Sequence, residues 1–253
     1  MGTYNCEAIL LAVRDYDATS RMVTLFSREH GKLSALAYGA RRPRNELAGC
    51  VQPFAHVELA LATGKNIEAL KQCATRRSFR ELREDLDRMA YATMLAELVA
   101  ELWPEREPEP AAFDLLLSSF ALLVSRNVRV AALAAALQLM SLAGFRPEYE
   151  HCVVCGGELT LPARFDASAG GAVCAACSEP HLPPFGVEGR DFLARMLDLD
   201  LADPGHFSVT GAVLMDTERL LGEFLTWRLD KPLRSLAFIA TLARDKTGGG
   251  RGQ

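Results

Sequence analysis

Four of the seven cysteines fall in two closely spaced pairs, Cys152-x-x-Cys155 and Cys174-x-x-Cys177, with 18 residues between the pairs. This spacing is typical of a four-cysteine zinc site, because each two-residue gap aims two thiolates at one ion. Four thiolates fill a tetrahedral ion and leave no position for water or substrate. We therefore expect one structural Zn²⁺ per chain. The alternative is a set of buried or redox-active cysteines without a metal.

The remaining cysteines, Cys6, Cys50 and Cys73, have no partner spacing, and we interpret them as small core residues. An odd number of cysteines without an export signal argues against a disulfide framework. His151 adjoins the first cysteine pair, but it would be a fifth ligand, so we interpret it as a surface residue. Motifs for phosphate loops, nucleophile elbows and zinc proteases are absent from the sequence, and nothing in it supports an enzyme.

Basic residues are concentrated in the first third of the chain. Residues 1–80 hold 12 Lys and Arg against 7 Asp and Glu, whereas residues 81–253 hold 16 against 25. This asymmetry indicates a polyanion as the partner of the first part, although an uneven solvated surface would give the same counts. One groove that binds backbone phosphates could be bordered by Lys32, the loop Arg41-Arg42-Pro43-Arg44 and the run Arg76-Arg77.

Aromatic residues in this part of the chain offer a second type of contact. Tyr38, Phe54 and Phe26 are candidates for platforms on which bases stack. Aromatic residues at alternating strand positions can equally be core residues.

The hydrophobic pattern divides the chain into a β part and a helical part, which predicts an α+β fold. Short alternating stretches with turn signals predict a five-stranded barrel, with strands at 7–13, 21–27, 32–38, 51–61 and 67–73. Apolar residues three or four positions apart predict helices at 79–102, 111–126, 129–143, 188–199, 213–229 and 233–244. We expect a barrel domain at 1–78, a helical domain at 79–147 and 182–246, a zinc module at 148–181 and a disordered tail at 247–253.

The composition excludes two classes of protein. With 49% hydrophobic and 24% charged residues, the chain is not intrinsically disordered. The longest uncharged run, 130–145, has 16 residues, short of the roughly 20 that cross a bilayer. The N-terminus has no basic segment leading into an apolar stretch, so we predict no signal peptide and a cytoplasmic protein without membrane contact.

Taken together, the motifs resemble the RecO family of bacterial recombination mediators. The resemblance covers nearly the whole chain and rests on Gly31-Lys32-Leu33, Tyr38-Gly39-Ala40-Arg41-Arg42, Leu47 with Gln52-Pro53-Phe54, and Gly144-Phe145-Arg146-Pro147, which leads into the cysteine pairs. It implies an N-terminal five-stranded OB-type β-barrel and a C-terminal helical domain with an inserted four-cysteine zinc module. Some members of the family lack the cysteines, which implies that zinc serves stability.

The resemblance also implies an activity. The family binds single- and double-stranded DNA and anneals complementary strands without acting as a bond-making enzyme. With its partner RecR it helps load the recombinase RecA onto DNA coated by single-strand binding protein, which places it at the nucleoid. By position, the implied DNA contacts are Lys32, Arg41, Arg42, Arg44, Arg21 and Arg76.

The family further binds the acidic C-terminal tail of single-strand binding protein on its helical domain. Because that part of the chain is net acidic, a local basic and apolar notch would be required there. Two other hypotheses remain open from the residues: an RNA-binding or RNA-modifying protein, and a purely structural adaptor whose basic loop is incidental.

Overall fold

The N-terminal part folds as a closed five-stranded barrel in the computed structural model, which describes residues 2–206, 208–229 and 231–248. The strands are β1 (Thr3–Asp15), β2 (Arg21–Ser27), β3 (Gly31–Ala37), β4 (His56–Ala62) and β5 (Glu68–Arg77). They pair in the order β1-β2-β3-β5-β4, and β4 pairs back with β1. All pairs are antiparallel except β3 with β5. Alternate side chains of each strand point into the barrel and form its own core.

The connection between β3 and β4 differs from the prediction. Residues 46–50, between the predicted strands 32–38 and 51–61, form a short helix, α1 (Glu46–Cys50), and β4 starts at His56 rather than at residue 51. The Asn45 side chain caps α1 by accepting the Leu47 N–H at 2.8 Å, which favours the helical turn. The strand predicted to begin at residue 51 therefore begins late, because residues 51–55 make a turn.

The C-terminal part is helical. The helices are α2 (Arg80–Glu84), α3 (Leu86–Leu102), α4 (Pro110–Ser125), α5 (Val128–Leu142), α6 (Val187–Asp198), α7 (Gly211–Arg228) and α8 (Arg234–Gly248). The single helix predicted at 79–102 is interrupted at Asp85, which is extended, because its side chain accepts the Arg88 N–H and caps α3. α5 lies at the centre, and most of its residues are buried. The predicted tail, 247–253, begins within α8, and residues 249–253 lie outside the described residues.

Between α5 and α6 the chain forms a three-stranded sheet with the order β7-β6-β8. Its strands are β6 (Ala163–Asp166), β7 (Gly171–Val173) and β8 (Pro184–Phe185). Gly170 at the β6–β7 turn has φ +100°, a backbone conformation that favours glycine. Phe165 of β6 lies 5.5 Å, between ring centroids, from Phe185 of β8 within the sheet, and it packs the sheet on α7 through Phe224 at 6.4 Å.

The barrel and the helices share a core. Ile9 and Phe26 of the barrel belong to the same buried cluster as the helices. The rings of Phe54 and Phe79 meet Phe120 of α4 edge-on at 5.5 and 5.7 Å. The predicted α+β class, with an N-terminal five-stranded sheet and C-terminal helices, is confirmed. No helix in the described part of the chain is long and apolar enough to cross a membrane.

Candidate metal centre and candidate nucleic-acid interface

Two tight turns bring the four cysteines together. In the first turn, the Cys152 N–H donates to Gly157 O and the Gly156 N–H donates to Cys152 O, both at 2.8 Å. Gly156 has φ +72°, which a residue with a Cβ rarely adopts. The second turn follows β7 directly, and there the Cys177 N–H donates to Cys174 O at 3.0 Å. Strand β7 thus places Cys174 and Cys177 next to Cys152 and Cys155.

The geometry of the cluster fits a zinc ion. The four Sγ atoms all lie within 4.8 Å of one another, and those of Cys155 and Cys174 are 3.9 Å apart. Zn–S bonds of about 2.3 Å in a tetrahedron place neighbouring sulfur atoms about 3.8 Å apart. Cys152, Cys155, Cys174 and Cys177 therefore form a donor set that suits one tetrahedral Zn²⁺. When bound, such an ion would cross-link the two turns.

Hydrogen bonds favour the thiolate form in one member of the set. Burial opposes a charge on Cys152, but backbone N–H groups, including that of Cys174 at 3.4 Å from Sγ, outweigh it and lower the pKa of Cys152 to about 6. Contacts with the thiols of Cys174 and Cys155 raise the pKa of Cys177 to about 12. Because all four ligands bind a metal as thiolates, zinc binding releases protons, and acid weakens it.

His151 lies beside this cluster and does not belong to it. Its side chain is 56% exposed, and its Nδ1 is 3.9 Å from an oxygen of Glu148.

The expectation that Cys50 and Cys73 have no partner is wrong, although both belong to or pack against the barrel core. The structure joins them in a disulfide with a Cα–Cα distance of 6.1 Å, which links the end of α1 to β5. They lie 23 positions apart in the chain, a spacing that carries no pairing signal, and only the closure of the barrel brings them together. Cys6 is a free, buried cysteine, and burial raises its pKa to about 11.

Three of the predicted DNA contacts lie in the loop between β3 and α1. Arg41 joins this loop to the β1–β2 loop through two hydrogen bonds. Its backbone N–H donates to Thr19 O at 2.9 Å, and its guanidinium donates to Asp17 O at 2.7 Å. The guanidinium also lies 3.2 Å from a carboxylate oxygen of Asp15. Arg41 therefore supports the shape of the basic loop, and its side chain remains 37% exposed.

Arg42 and Arg44 are the exposed positive charges of this loop. Neither forms an ion pair within residues 2–206, 208–229 and 231–248. Arg44 lines a groove of about 1120 Å³ together with Tyr38 and Lys71, and the groove also has four acidic residues in its lining, Glu7, Glu29, Glu46 and Glu58. Both guanidinium groups are free to meet an anion without breaking an existing ion pair.

Arg21 and Arg76 lie near the loop but have acidic partners. The Arg21 guanidinium donates to Val51 O at 3.1 Å and lies 3.7 Å from Asp15. Arg76 lines the same groove as Arg44 and is bound by Glu58, with Glu7 at 3.7 Å. These acidic groups reduce the positive potential that either arginine can offer to a phosphate.

Lys32 lies apart from the other five residues, at the junction of the barrel and the helices. Its ammonium donates to the carbonyl oxygen of Ala100 near the end of α3. Its own carbonyl accepts the Arg106 N–H at 3.0 Å from the linker before α4. The preceding Gly31 has φ +67°, and a Cβ there would lie 2.1 Å from Glu107 O. The structure therefore gives Lys32 a role in joining the two parts of the molecule.

A second concave surface escaped the sequence analysis. A cavity of about 320 Å³ lies between the end of α4, the start of α5 and the segment after α6. Its walls include the apolar side chains of Leu122, Val130 and Val209, and the exposed Arg126 stands at its edge. Nothing in the local pattern singled out Arg126, because the wall opposite it comes from a segment about 80 residues later.

These observations define a class of protein: a closed β-barrel with a basic loop, sharing a core with a helical body that carries a four-cysteine cluster. Comparison with known proteins identifies the family. Residues 1–79 match the family described as "Recombination protein O N terminal", and residues 83–237 match "Recombination protein O C terminal". The chain belongs to the RecO family of DNA repair and recombination proteins.

Relatives of similar length support this assignment. The chain is 35% identical over 252 residues to the DNA repair protein RecO of Pelotomaculum thermopropionicum, covering 99% of this chain and 98% of the relative. It is 36% identical over 249 residues to that of Symbiobacterium thermophilum, covering 96% and 98%. It is 32% identical over 252 residues to that of Myxococcus xanthus, covering 97% and 100%.

Proposed function

We propose that this protein is a DNA-binding recombination mediator that anneals complementary single strands. With RecR it helps load RecA onto DNA coated by single-strand binding protein. The observation that carries the proposal is the pair Arg42 and Arg44, exposed and unpaired among the described residues, on a barrel of the RecO family. A protein that acts in this way binds single- and double-stranded DNA and associates with the nucleoid in the cytoplasm.

The topology of the barrel supports nucleic-acid binding. Five strands in the order β1-β2-β3-β5-β4, with one parallel pair and a helix between β3 and β4, suit an OB-type barrel. OB barrels bind oligonucleotides through loops at the rim of the barrel. The arginine loop of this chain occupies such a position, next to the β1–β2 loop.

Annealing needs no bond-making step, so we propose that the protein is not an enzyme. Two complementary strands repel each other through their phosphates, and a positively charged surface lowers this repulsion by neutralising phosphates, while the release of counterions favours binding. Base pairing then supplies the driving free energy. Neither a nucleotide cofactor nor a nucleophile is required.

The predicted DNA contacts differ in what they can contribute. Arg42 and Arg44 would contact phosphates directly, because neither has to leave an acidic partner. The positive electrostatic potential around the loop would also include contributions from Arg41, Arg21 and Arg76. Lys32 would act indirectly, by fixing the barrel to the helices through Ala100.

The double substitution Arg42→Ala/Arg44→Ala tests the interface. We expect affinity for any oligonucleotide sequence to fall, and the slope of log affinity against log salt to decrease by up to about one for each lost phosphate contact. Fluorescence anisotropy with short oligonucleotides over a salt series, without ATP, measures both. Arg219→Ala, at an exposed arginine of α7, is the matched control. An unchanged salt slope would remove the loop from the site.

The same assay decides between the proposal and its two alternatives. Preferential binding of RNA over DNA of the same sequence would indicate recognition of 2′-hydroxyl groups and an RNA-binding protein. No binding of any oligonucleotide at low salt, combined with stable capture of a protein partner, would indicate a structural adaptor.

The cavity between α4, α5 and the segment after α6, with Arg126 at its edge, suits the acidic C-terminal tail of single-strand binding protein. It offers apolar walls from Leu122, Val130 and Val209 and a positive charge at its edge, although the helical part is net acidic. An acidic peptide with an apolar end needs both features, since charge alone would not attract it to this half of the molecule.

Arg126→Glu tests this assignment. We expect at least about tenfold weaker binding of a labelled tail peptide, because a favourable charge pair becomes a repulsive one. Oligonucleotide binding should not change. Arg219→Glu alters the net charge equally and is the control. Equal affinity of both variants for the peptide would show that the tail binds elsewhere.

A further inference from the structure

We propose that Tyr16 and Tyr38 form a pair of base-stacking platforms, which makes the barrel bind unpaired strands in preference to duplexes. This inference rests on the proposed DNA-binding function and adds to it the form of DNA that the barrel selects. Both tyrosines are exposed, with 60% of the surface of Tyr16 and 59% of the surface of Tyr38 open to solvent. By contrast, Phe26 and Phe54, the other sequence candidates for stacking, are 0% and 3% exposed and belong to the core.

The pairing of the strands places both rings at the same end of the barrel. Asp15 of β1 pairs with Arg21 of β2, and Arg21 pairs with Ala37 of β3. Tyr16 is the residue after Asp15, and Tyr38 is the residue after Ala37. The two tyrosines therefore extend from one row of the sheet, on strands separated by two strand spacings, about 10 Å.

The loops that carry the tyrosines are held in place. The Tyr16 N–H donates to Ser20 O at 3.1 Å, and the Asp17 carboxylate accepts the N–H groups of Thr19 and Ser20, both at 2.7 Å. These bonds lower the pKa of Asp17, so its carboxylate stays charged. Arg41 then bonds the second loop to the first. Because the loops are held in this way, their backbones lose little conformational entropy when a base stacks on the rings.

Positive charge lies next to Tyr38, whereas Tyr16 stands between Asp15 and Asp17. Arg42 and Arg44 follow Tyr38 in the same loop, and Arg44 lines the same groove as Tyr38. An exposed ring alone is an ordinary surface feature. Two rings on one row of a barrel, beside arginines without ion pairs in the described chain, offer both contacts that a single strand can make. In a duplex the faces of the bases are occupied by their neighbours, so only unpaired strands can use the rings.

The test compares a single-stranded oligonucleotide with an abasic strand of the same length, which keeps the phosphates and lacks the bases. We expect the unaltered protein to bind the base-bearing strand more tightly. In Tyr16→Ala/Tyr38→Ala that preference should fall by about fivefold or more for each ring. Duplex affinity and the salt slope should not change, because no charge is lost. Tyr16→Phe/Tyr38→Phe should retain the preference, since it retains the rings.

Trp227→Ala, which removes a 62% exposed ring from α7, is the matched control and should leave the preference intact. Circular dichroism of each variant verifies folding. Salt-dependent binding with no difference between base-bearing and abasic strands would overturn the stacking inference and leave the proposed function standing. Failure of the unaltered protein to bind either strand at low salt would overturn both. Loss of the preference in the phenylalanine variant would also contradict stacking.

Discussion

The four cysteines of the candidate metal centre differ in their surroundings. Cys152 is 1% exposed and packs in the core with Leu159 and Phe165, whereas Cys155 is exposed. A bound ion would therefore connect a buried anchor with a surface turn. Removal of Cys152 both breaks the ligand set and leaves a polar or empty position in the core.

We expect Cys152→Ser to lose the metal and to lower the free energy of unfolding by several kcal/mol, because a structural zinc contributes folding free energy directly. Metal analysis of the unaltered protein should give about one zinc per chain. Denaturant unfolding measures the loss of stability. Cys6→Ala changes a free cysteine outside the cluster and should retain zinc. A cysteine variant that keeps its stability and zinc but no longer anneals DNA would contradict a structural role.

At the scale of elements, the last helix is held by a carboxylate from another helix. Glu97 of α3 accepts the backbone N–H groups of Arg234 and Ser235, both at 2.9 Å, and the Ser235 hydroxyl at 2.6 Å. It serves α8 as an N-cap residue would. Burial opposes the charge on Glu97, but these hydrogen bonds outweigh it, and the pKa of Glu97 is lowered.

We expect Glu97→Ala to lower the free energy of unfolding by about 1–2 kcal/mol at neutral pH. Because the pKa is lower in the folded state, this stabilisation is present above the unfolded value of about 4.3 and is lost as the pH falls through the folded pKa. Urea unfolding over a pH series measures it, and hydrogen exchange should show faster opening of α8.

Glu101→Ala is the control for this prediction. Glu101 lies one turn further along α3 and pairs with Lys231 at 2.8 Å, where it is 33% exposed. A surface ion pair of this kind should contribute less than about 1 kcal/mol. Equal effects of both substitutions would contradict the capping role of Glu97.

At the scale of the molecule, the barrel and the helices are joined by polar contacts as well as by their shared core. Arg28 of the barrel donates to Asp114 of α4 at 3.1 Å. Arg106 of the linker pairs at 2.8 Å with Glu68, whose side chain is fully buried. The linker also lies directly against Gly31. The barrel that carries the arginine loop is therefore both packed on and hydrogen-bonded to the helical part.

Gly31→Ala should disturb this junction. The added Cβ would meet the backbone of Glu107 and force a positive φ on alanine, so we expect a loss of about 2 kcal/mol or more in the free energy of unfolding. Gly49→Ala, in α1 with no atom within 4 Å of the added Cβ, should be neutral or slightly stabilising. Urea unfolding followed by circular dichroism compares the two. Equal stability of both variants would show that the linker can move away from β3.

Several features were predictable from local sequence because they depend on neighbours in the chain. α4, predicted at 111–126, spans Pro110–Ser125, and α5, predicted at 129–143, spans Val128–Leu142. β2 has the predicted limits, Arg21–Ser27. The two Cys-x-x-Cys pairs form the expected cluster, since a two-residue gap sets the geometry of each turn.

The sequence alone thus determined the α+β division, most helix limits, the cysteine cluster and the family. Only the tertiary structure decided that Cys50 meets Cys73, that Lys32 bonds Ala100, and that Tyr16 and Tyr38 extend from the same row of the barrel. Each of these depends on strand register and on packing between segments far apart in the chain. Periodicity along the chain carries no information about such pairings, because it records which face of an element is apolar and not what that face meets.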